Sequence, residues 1–334
     1  MNRLRVGFVG CGSHATLSIL PSLRFAPIDL VTVCDLQVDR AEYAARVFGA
    51  GDIASSAEEL IARDDLDAVF VVGPPKVHTA VAIQAMQAGK HVFSEKPPGE
   101  TLQAALEMQR VSRETGQHCF IAFMKRFSDN YVTAKKLMSE DFFGRPSQIL
   151  ARYAHWNQNT LRDHLVYMSV HLIDLARFFM GDYVRVVAEK NVLDGQHSFS
   201  ISARFSSGAV GSLISSAQQP RVQERVEISG ERALIVVDNI VNLEVHRSAR
   251  NGIERRFDMS DIEMYRPDFS IPCQNQNSLV FQGYVGEVVH FAESILAGRA
   301  PSPNIDDGVA AMRIVDWLER GAEGVLELEN MEES

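Results

Sequence analysis

The chain has 334 residues, of which 46% are hydrophobic and 23% are charged, a balance typical of globular proteins and not of disordered or fibrous ones. Its 33 basic and 43 acidic residues give a net charge of −10, which opposes nonspecific attraction to nucleic acids or anionic membranes. The length indicates two domains, each large enough to bury its own hydrophobic core.

Membrane segments and cysteine motifs are both missing from the sequence pattern. No apolar run reaches the roughly 20 residues that span a bilayer, and residues 1–3 lead directly into an apolar strand without a leader. We therefore expect a cytoplasmic protein with no membrane or nucleic-acid partner. The cysteines lack C-x-x-C spacing, and we interpret them as buried thiols, with no disulfide framework and no metal site. They are Cys11, Cys34, Cys119 and Cys273.

Short apolar strands alternate with helical periodicity over residues 1–123. The strand candidates LRVGFV, LVTVC, AVFVV, HVF and CFIAF carry apolar residues on both faces, as in a parallel sheet that is covered on both sides. Between them, the segment 77–87 has apolar residues at helical spacing. This alternation predicts an α/β fold, with an N-terminal doubly wound parallel sheet of the Rossmann type.

A glycine-rich turn follows the first strand and opens a helix. Gly10 permits a tight turn, Gly12 lets the backbone approach a pyrophosphate, and Ala15 allows close helix packing. His14 is either a surface residue of this loop or a cofactor contact. The pattern predicts a dinucleotide site formed by Gly10, Gly12, Ser13, His14 and Ala15.

An acidic residue ends the second predicted strand about 20 residues later. Asp35 can accept hydrogen bonds from both ribose hydroxyls of adenosine and repels a 2′-phosphate. This favours NAD over NADP as the cofactor. Arg40 lies close enough in sequence to accommodate the phosphate of NADP, although it is also interpreted as a solvated helix residue.

Two further loops end strands at the same predicted edge, where open α/β sheets bind ligands. Gly73 and Pro74 form a rigid loop, and the nearby His78 either contacts cofactor or substrate or has a capping or packing role. In the segment HVFSEKPPG, the prolines restrict the backbone around Lys96. Such rigidity suits a positioned side chain, and it equally suits a plain strand-ending turn.

Residues 124–334 follow a different pattern, which predicts an α+β domain. Alternating apolar and polar residues in SFSISARFSSG indicate a mostly antiparallel, open sheet. Residues 259–280 lack clear periodicity and are interpreted as a lid or an interface loop. The last helices either complete this domain or pack back on the first. The other elements are helices at 129–139, 168–180, 278–296 and 305–320, a strand at 148–155, and strands over 183–257.

Motifs along the whole chain resemble those of the Gfo/Idh/MocA family of oxidoreductases. They are GFVGCGSHA, AGKHVFSEKPPGETL, FMKRF, FGRP, VHLIDLARFFMG and FAESILAGRAPSPNIDDGVAAMRIVDWLE. The resemblance implies an N-terminal Rossmann domain over 1–123 and a C-terminal substrate-binding domain over 124–334. It also implies association through the second sheet, as a homodimer or homotetramer.

The resemblance also assigns candidate catalytic residues. In this family the Glu-Lys-Pro signature carries the catalytic lysine, so Lys96 is the matching residue, and the family often has a cis peptide bond at Pro97. An ammonium group there can stabilise negative charge on a substrate oxygen as hydride leaves the adjacent carbon. Glu95 and Lys96 are also candidate cofactor contacts, although Glu95 can simply pair with another charge or end the strand.

A second family signature usually reads Asp-x-x-x-His on one helix, where the spacing points both side chains to one site. Here VYMSVHLIDL provides His171 as the candidate general base, with a buried core histidine as the alternative. Tyr167 occupies the position of the aspartate, and a phenol cannot supply a carboxylate at neutral pH. Upstream, Asp163 and His164 are candidates to restore a carboxylate or an extra base.

Other polar and aromatic residues are candidates for substrate contacts. Lys125 and Arg126 follow the last Rossmann strand and can bind a polyhydroxylated or anionic substrate, or form a surface ion pair. His155 and Trp156 end a strand of the second domain, where an aromatic ring can stack on a sugar or serve in packing. With Asp163 and His164, these residues form the predicted substrate site.

Taken together, these residues predict an NAD(P)-dependent dehydrogenase that interconverts a secondary alcohol and a ketone on a sugar, cyclitol or sugar derivative. Lys96 and His171 would form the acid/base pair. Two alternatives remain at this point: a catalytically silent dinucleotide-binding sensor, and an NAD-assisted glycosidase or lyase on the same fold.

Overall fold

The computed structural model describes residues 2–156, 158, 160–248, 260–267, 277–322 and 324–328. The chain folds into two compact units. The first comprises Met1–Phe127 and Gly283–Arg313, and the second comprises Ser128–Gln282 and Ile314–Ser334. Within these residues, each unit contains one β-sheet. No helix within the described ranges is both long and apolar enough to cross a membrane.

The sheet of the first unit has six parallel strands. They are β1 (Leu4–Val9), β2 (Ile28–Cys34), β3 (Asp52–Ile53), β4 (Ala68–Val71), β5 (His91–Glu95) and β6 (Cys119–Ala122). Their order in the sheet is β3-β2-β1-β4-β5-β6. The chain therefore builds one half of the sheet outward from β1 and then returns to build the other half, which is the doubly wound Rossmann arrangement. The predicted fold class is confirmed for this unit.

Helical segments connect these strands. They are α1 (Leu20–Ser22), α2 (Val38–Phe48), α3 (Ala57–Ile61), α4 (Pro75–Gln87) and α5 (Leu102–Thr115), with a π-helical segment at Ala15–Ile19 and 3-10 turns at Leu23–Phe25 and Met124–Phe127. Hydroxyl groups cap two of the helices: Ser56 Oγ accepts from the Glu59 N–H and Thr101 Oγ1 from the Ala104 N–H, both at 3.1 Å. These caps satisfy backbone donors that the first helical turn leaves unpaired.

In the part of the second unit that the structure describes, the sheet has nine strands. They are β7 (Pro146–Trp156), β8 (Tyr183–Leu193), β9 (Gln196–Phe205), β10 (Val210–Ser216), β11 (Gln218–Gly230), β12 (Ala233–Asp238), β13 (Asn242–Ser248), β14 (Ser260–Tyr265) and β15 (Leu326–Glu327). Their order is β14-β13-β12-β11-β7-β10-β9-β8-β15. Among these described strands, only β7 and β10 pair in parallel, so the prediction of a mostly antiparallel sheet is confirmed. In β9, Phe199, Ile201, Ala203 and Phe205 are buried and alternate with exposed residues, as expected.

The remaining helices are distributed over the two units. They are α6 (Asp129–Leu137), α7 (Leu161–Asp163), α8 (Val170–Met180), α9 (Ser278–Gln282), α10 (Tyr284–Leu296) and α11 (Ile305–Glu319), and His164–Ser169 is π-helical. Helix α10 is grouped with the first unit. There Phe291 packs edge-on against Phe70 at 5.4 Å, and Phe70 stacks on Phe93 at 4.4 Å between ring centroids. Aromatic contacts of this kind fix α10 on the Rossmann sheet.

Two sequence predictions about irregular segments need correction. Part of the proposed 259–280 excursion is strand β14, in which Ile262 and Met264 alternate with acidic residues and which pairs with β13; residues 268–276 lie outside the described residues. The predicted single helix over 278–296 is two helices, because Gly283 adopts a left-handed φ of 97° between α9 and α10. Cys11, Cys34 and Cys119 are buried free thiols, and Cys273 lies outside the described residues.

Candidate active site

The two glycines of the loop after β1 have different structural roles. Gly10 has a φ of +95°, and a Cβ built on it would lie 1.9 Å from the carbonyl oxygen of Val72. No other residue type fits there without moving the end of β4. Gly12 lacks a left-handed φ, and the nearest atom to its built Cβ is Arg40 Nη1 at 4.0 Å. The protein itself thus leaves open space at Gly12, as a loop that receives a pyrophosphate backbone contact requires.

The next residues continue the loop into helical backbone. Ala15 is fully buried, which agrees with the predicted close packing, whereas Ser13 and His14 are exposed. The helical segment contains a π-helical turn at Ala15–Ile19, which periodicity did not predict. His14 Nε2 lies 2.8 Å from Glu95 Oε1 at the end of β5.

Asp35 and Arg40 flank the same loop. The Asp35 carboxylate accepts the Cys11 N–H at 2.7 Å and the Gln37 N–H at 2.8 Å, so it ties the end of β2 to the glycine-rich turn. It is half-buried, and Arg40 is exposed with its guanidinium near Gly12. The carboxylate and the guanidinium therefore both lie next to the loop.

The loop after β4 supports the Glu-Lys-Pro turn. Gly73 donates its N–H to His78 Nε2 at 3.2 Å, and His78 Nδ1 lies 2.9 Å from the Pro97 carbonyl oxygen. Nε2 accepts, so Nδ1 must carry the hydrogen and donate it to Pro97. Burial lowers the pKa of His78. Both ring nitrogens have backbone partners, which fits the capping or packing role considered for His78 better than ligand contact.

The predicted catalytic lysine follows β5 in a cis Lys96–Pro97 peptide bond, as the family resemblance implies. Glu95 is buried, and its Oε2 accepts the Lys96 N–H at 3.0 Å. Burial lowers the pKa of Lys96 and the charge of Lys125 acts in the same direction, while Glu95 and Glu287 oppose them. A lysine with a lowered pKa releases and takes up a proton more readily near neutral pH.

Two charged residues from later in the chain, Lys125 and Glu287, act on Lys96, and Arg126 follows Lys125 directly. Lys125 is buried, and Arg126 forms a 3.0 Å ion pair with Asp307. A surface ion pair was one prediction for Arg126, and this pair is instead largely buried. Glu287 on α10 was missed altogether. It is fully buried and neither carboxyl oxygen has a hydrogen-bond partner among the described residues, and burial, with Glu95 adding to it, raises its pKa well above the ordinary value.

In the second unit, the Tyr-x-x-x-His segment spans the junction of the π-helical turn and α8. His171 is buried, whereas Tyr167 is 40% exposed. The ring of His171 meets Tyr153 edge-on, with 6.4 Å between centroids, and Tyr153 lies 6.2 Å from His155. Asp163 ends α7, where its N–H donates to Thr160 Oγ1 at 3.0 Å.

His155 and His164 form a buried imidazole pair with 5.4 Å between ring centroids. His155 Nδ1 donates to the Trp156 carbonyl oxygen at 2.8 Å, so Nε2 carries a lone pair. Ser169 donates to the His164 carbonyl oxygen, and its Oγ is 2.7 Å from Ser215 Oγ. Ser215 therefore donates to Ser169 and accepts from His164 Nε2 at 3.1 Å.

This assignment leaves His164 Nδ1 as an acceptor too. Burial lowers the pKa of His155, and burial followed by the charges of His155 and His197 lowers that of His164 to about 3, so both rings are neutral at pH 7. Neither His155 Nε2 nor His164 Nδ1 has a hydrogen-bond partner among the described residues. Both atoms are enclosed by protein, so a hydroxyl group that donates to them would require neighbouring side chains to move. Trp156 beside this histidine pair is 57% exposed, so its indole face is available.

Two family profiles match this chain, one in each structural unit. Residues 4–123 match the sequence profile described as "Oxidoreductase family, NAD-binding Rossmann fold", and residues 131–236 match the "GFO/IDH/MocA C-terminal domain". The chain belongs to the Gfo/Idh/MocA family. This member is an oxidoreductase with an NAD-binding Rossmann domain, as predicted, and the alternative of a silent sensor is set aside.

Named relatives of this Gfo/Idh/MocA protein cover most of its length. The myo-inositol 2-dehydrogenase of Thermotoga maritima is 24% identical over 330 residues, 92% of this chain and 93% of the relative. The scyllo-inositol 2-dehydrogenase (NAD(+)) of Bacillus subtilis is 26% identical over 309 residues, 84% and 85% of the two chains. A levoglucosan dehydrogenase solved with NADH and levoglucosan superposes with a TM-score of 0.85 and 22% identity, covering 98% of this chain and all of the other. That likeness establishes the fold.

Proposed function

We propose that this protein is an NAD(P)-dependent dehydrogenase that interconverts a secondary alcohol and a ketone on a sugar, cyclitol or sugar derivative. The observation that carries the proposal is the combination of two features. The glycine loop has open space at Gly12, and Lys96 at the end of β5 has a lowered pKa. Both lie at the carboxyl edge of one parallel sheet, where open α/β folds bind ligands. The inositol and levoglucosan dehydrogenases among its relatives act on polyols or sugars, which supports this substrate class.

The dinucleotide would be held by the loop and by the end of β2. Gly10, Gly12 and Ser13 would take the pyrophosphate, and Asp35 would accept from the adenosine ribose. When bound, NAD supplies a nicotinamide carbon that accepts hydride. The Asp35 carboxylate favours NAD, and the Arg40 guanidinium near Gly12 leaves room for use of NADP.

Lys96 and His171 would divide the proton chemistry. His171 would take the proton of the substrate hydroxyl as a general base, which commonly contributes about 10² to 10⁴ in rate. Lys96 as an ammonium would stabilise the oxygen anion while the carbon–hydrogen bond breaks. Tyr167 would donate its phenol hydrogen to a substrate oxygen, in place of the carboxylate of related enzymes.

The paired histidines would recognise the rest of the substrate. His155 Nε2 and His164 Nδ1 are buried acceptors, so they favour neutral hydroxyl groups and disfavour a carboxylate. Trp156 would stack on the apolar face of a sugar ring, and Lys125 and Asp163 would make further polar contacts. We infer that a polyol fits these residues better than an organic acid.

Turnover tests this proposal directly. Wild type would be incubated with NAD or NADP and with myo-inositol, scyllo-inositol, levoglucosan and aldoses, while reduced nicotinamide is followed by absorbance. We expect turnover with at least one polyol, a loss of roughly 10² or more in kcat for Lys96→Met, and a comparable loss for His171→Gln. The exposed Lys136→Met variant is the control and should keep wild-type rates.

Product analysis of the same reactions separates oxidation from NAD-assisted elimination or hydrolysis. A ketone with one reduced nicotinamide per turnover supports the dehydrogenase. Cleavage of a glycosidic bond without net reduction of NAD would replace it with the alternative mechanism. Undiminished activity of Lys96→Met would reject the role given to the lysine.

A further inference from the structure

His14 and Glu95 join two loops that are far apart in sequence. His14 follows Gly12 by two residues in the predicted pyrophosphate loop, and Glu95 immediately precedes Lys96. His14 Nε2 and Glu95 Oε1 are 2.8 Å apart. The Glu95 side chain is only 5% exposed, whereas that of His14 is 45% exposed. A carboxylate can only accept, so Nε2 carries the hydrogen of this bond.

The Lys96–Pro97 segment is held from two sides. On one side, Glu95 Oε2 accepts the Lys96 N–H at 3.0 Å, while its Oε1 is bound by His14. On the other side, His78 donates to the Pro97 carbonyl oxygen at 2.9 Å. The carboxylate of Glu95 thus uses both oxygens, one for the cofactor loop and one for the backbone of the lysine.

The charge of Glu95 depends on His14. Burial acts to raise the pKa of Glu95, but the hydrogen bond from His14 and the electrostatic effect of Lys96 and the two nearby imidazoles outweigh burial, so the pKa of Glu95 is lowered. Glu287 faces the same group and is the carboxyl that burial favours in its protonated form. Without the His14 bond, burial would favour protonation of Glu95 as well.

Protonation of Glu95 would change the pKa of Lys96 through the loss of a nearby negative charge. The groups that face Lys96 are Glu95 and Glu287, which favour its ammonium form, and Lys125, which disfavours it along with burial. Loss of the Glu95 charge would remove a group that raises the pKa of Lys96, while Lys125 and burial would continue to lower it. Lys96 would then lose its proton at a lower pH, and its backbone would lose an anionic acceptor.

We propose that His14 is a positioning residue for Lys96, which keeps Glu95 ionised and ties the cofactor loop to the turn that carries the lysine. Dinucleotide contact with the loop is thereby linked to the geometry and charge of Lys96. Only the kinetic part of this proposal rests on the catalytic role proposed above for Lys96.

NMR titration tests the proposal without any turnover. Protein labelled with ¹³C at glutamate Cδ and lysine Cε would be titrated as wild type, His14→Leu and His14→Gln, with Glu95→Gln and Lys96→Met identifying the two signals. We expect His14→Leu to raise the Glu95 midpoint and lower the Lys96 midpoint, each by about one pH unit or more. His14→Gln retains a neutral donor and should shift both by less.

A second His–Glu pair provides the matched control. His246 Nε2 lies 3.0 Å from Glu244 Oε2 on β13, and His246→Leu should leave both midpoints unchanged. Unshifted Glu95 or Lys96 midpoints in both His14 variants, or equal shifts in His246→Leu, would overturn the proposal. The kinetic counterpart is the alkaline limb of kcat/KM, which should move to lower pH in His14→Leu, whereas turnover absent from wild type would reject only the proposed function.

Discussion

Alanine at Gly12 should abolish tight NAD binding without destabilising the protein. A Cβ built there meets no atom closer than Arg40 Nη1 at 4.0 Å, and Gly12 has no left-handed φ. The folded protein therefore accommodates the methyl group, and the free energy of unfolding should stay within about 0.5 kcal/mol of wild type, as for an ordinary surface substitution. The same methyl group would occupy the space through which a pyrophosphate approaches the backbone.

Alanine at Gly10 should have the opposite effect. Its left-handed φ of +95° alone disfavours an L residue by about 1 to 2 kcal/mol. The 1.9 Å approach to the Val72 carbonyl oxygen adds the displacement of β4, so we expect a total loss of roughly 3 kcal/mol. For a unit of about 160 residues, at about 2.1 cal/mol/K per residue, this lowers the Tm by roughly 9 °C.

Calorimetry distinguishes the two variants. Differential scanning without cofactor should give Gly12→Ala the wild-type Tm and Gly10→Ala a clearly lower one. Isothermal titration with NAD should show Gly12→Ala binding about tenfold or more weakly, a loss of about 1.4 kcal/mol, and a given NAD concentration should raise its Tm by less than that of wild type. Wild-type NAD affinity in Gly12→Ala would refute the assignment of this loop to the pyrophosphate.

Three further substitutions test other parts of the molecule. Asp35→Asn keeps an acceptor for the Cys11 N–H but removes the negative charge, so the ratio of kcat/KM for NAD over NADP should fall about tenfold; an unchanged ratio would contradict this. Because burial raises the pKa of Glu287, wild-type stability should fall from about pH 4.3 upward toward the folded pKa. The Glu287→Gln variant has no carboxyl to ionise, so its free energy of unfolding in urea should rise relative to that of wild type as the pH increases over this range. If the difference between the two proteins does not change with pH, Glu287 is not protonated in the folded protein. Tyr131 donates to Glu224 Oε1 at 2.6 Å in the core, so Tyr131→Phe should lose about 1 to 3 kcal/mol in urea unfolding.

Local sequence patterns were sufficient to predict the fold class and the residues that end the Rossmann strands. The buried strands have apolar residues on both faces, and the glycine turn, Asp35 and Lys96 each stand next to one of them. The alternation in β9 likewise follows from the period-two geometry of a strand. These features depend on neighbours in the chain, so the sequence alone reveals them.

The contacts around the lysine could not be predicted in this way. Glu95 and His14 are 81 residues apart, and Arg126 and Asp307 are 181 residues apart. Glu287 comes to the first unit on α10, and its only sequence signal was a single acid within the apolar segment YVGEVVHF. The acceptor state of His155 and His164 required the serine hydrogen bonds, since residue type alone does not specify a tautomer.

Deuterium transfer from substrate to cofactor would reveal whether this protein moves a hydride. A polyol deuterated at the reacting carbon would be incubated with NAD and the wild-type protein, and the nicotinamide would be analysed by mass spectrometry. We predict deuterium on the reduced nicotinamide ring with wild type and a yield lower by roughly 10² with Lys96→Met. No deuterated nicotinamide from any polyol, or equal transfer by the Lys96→Met protein, would contradict the account.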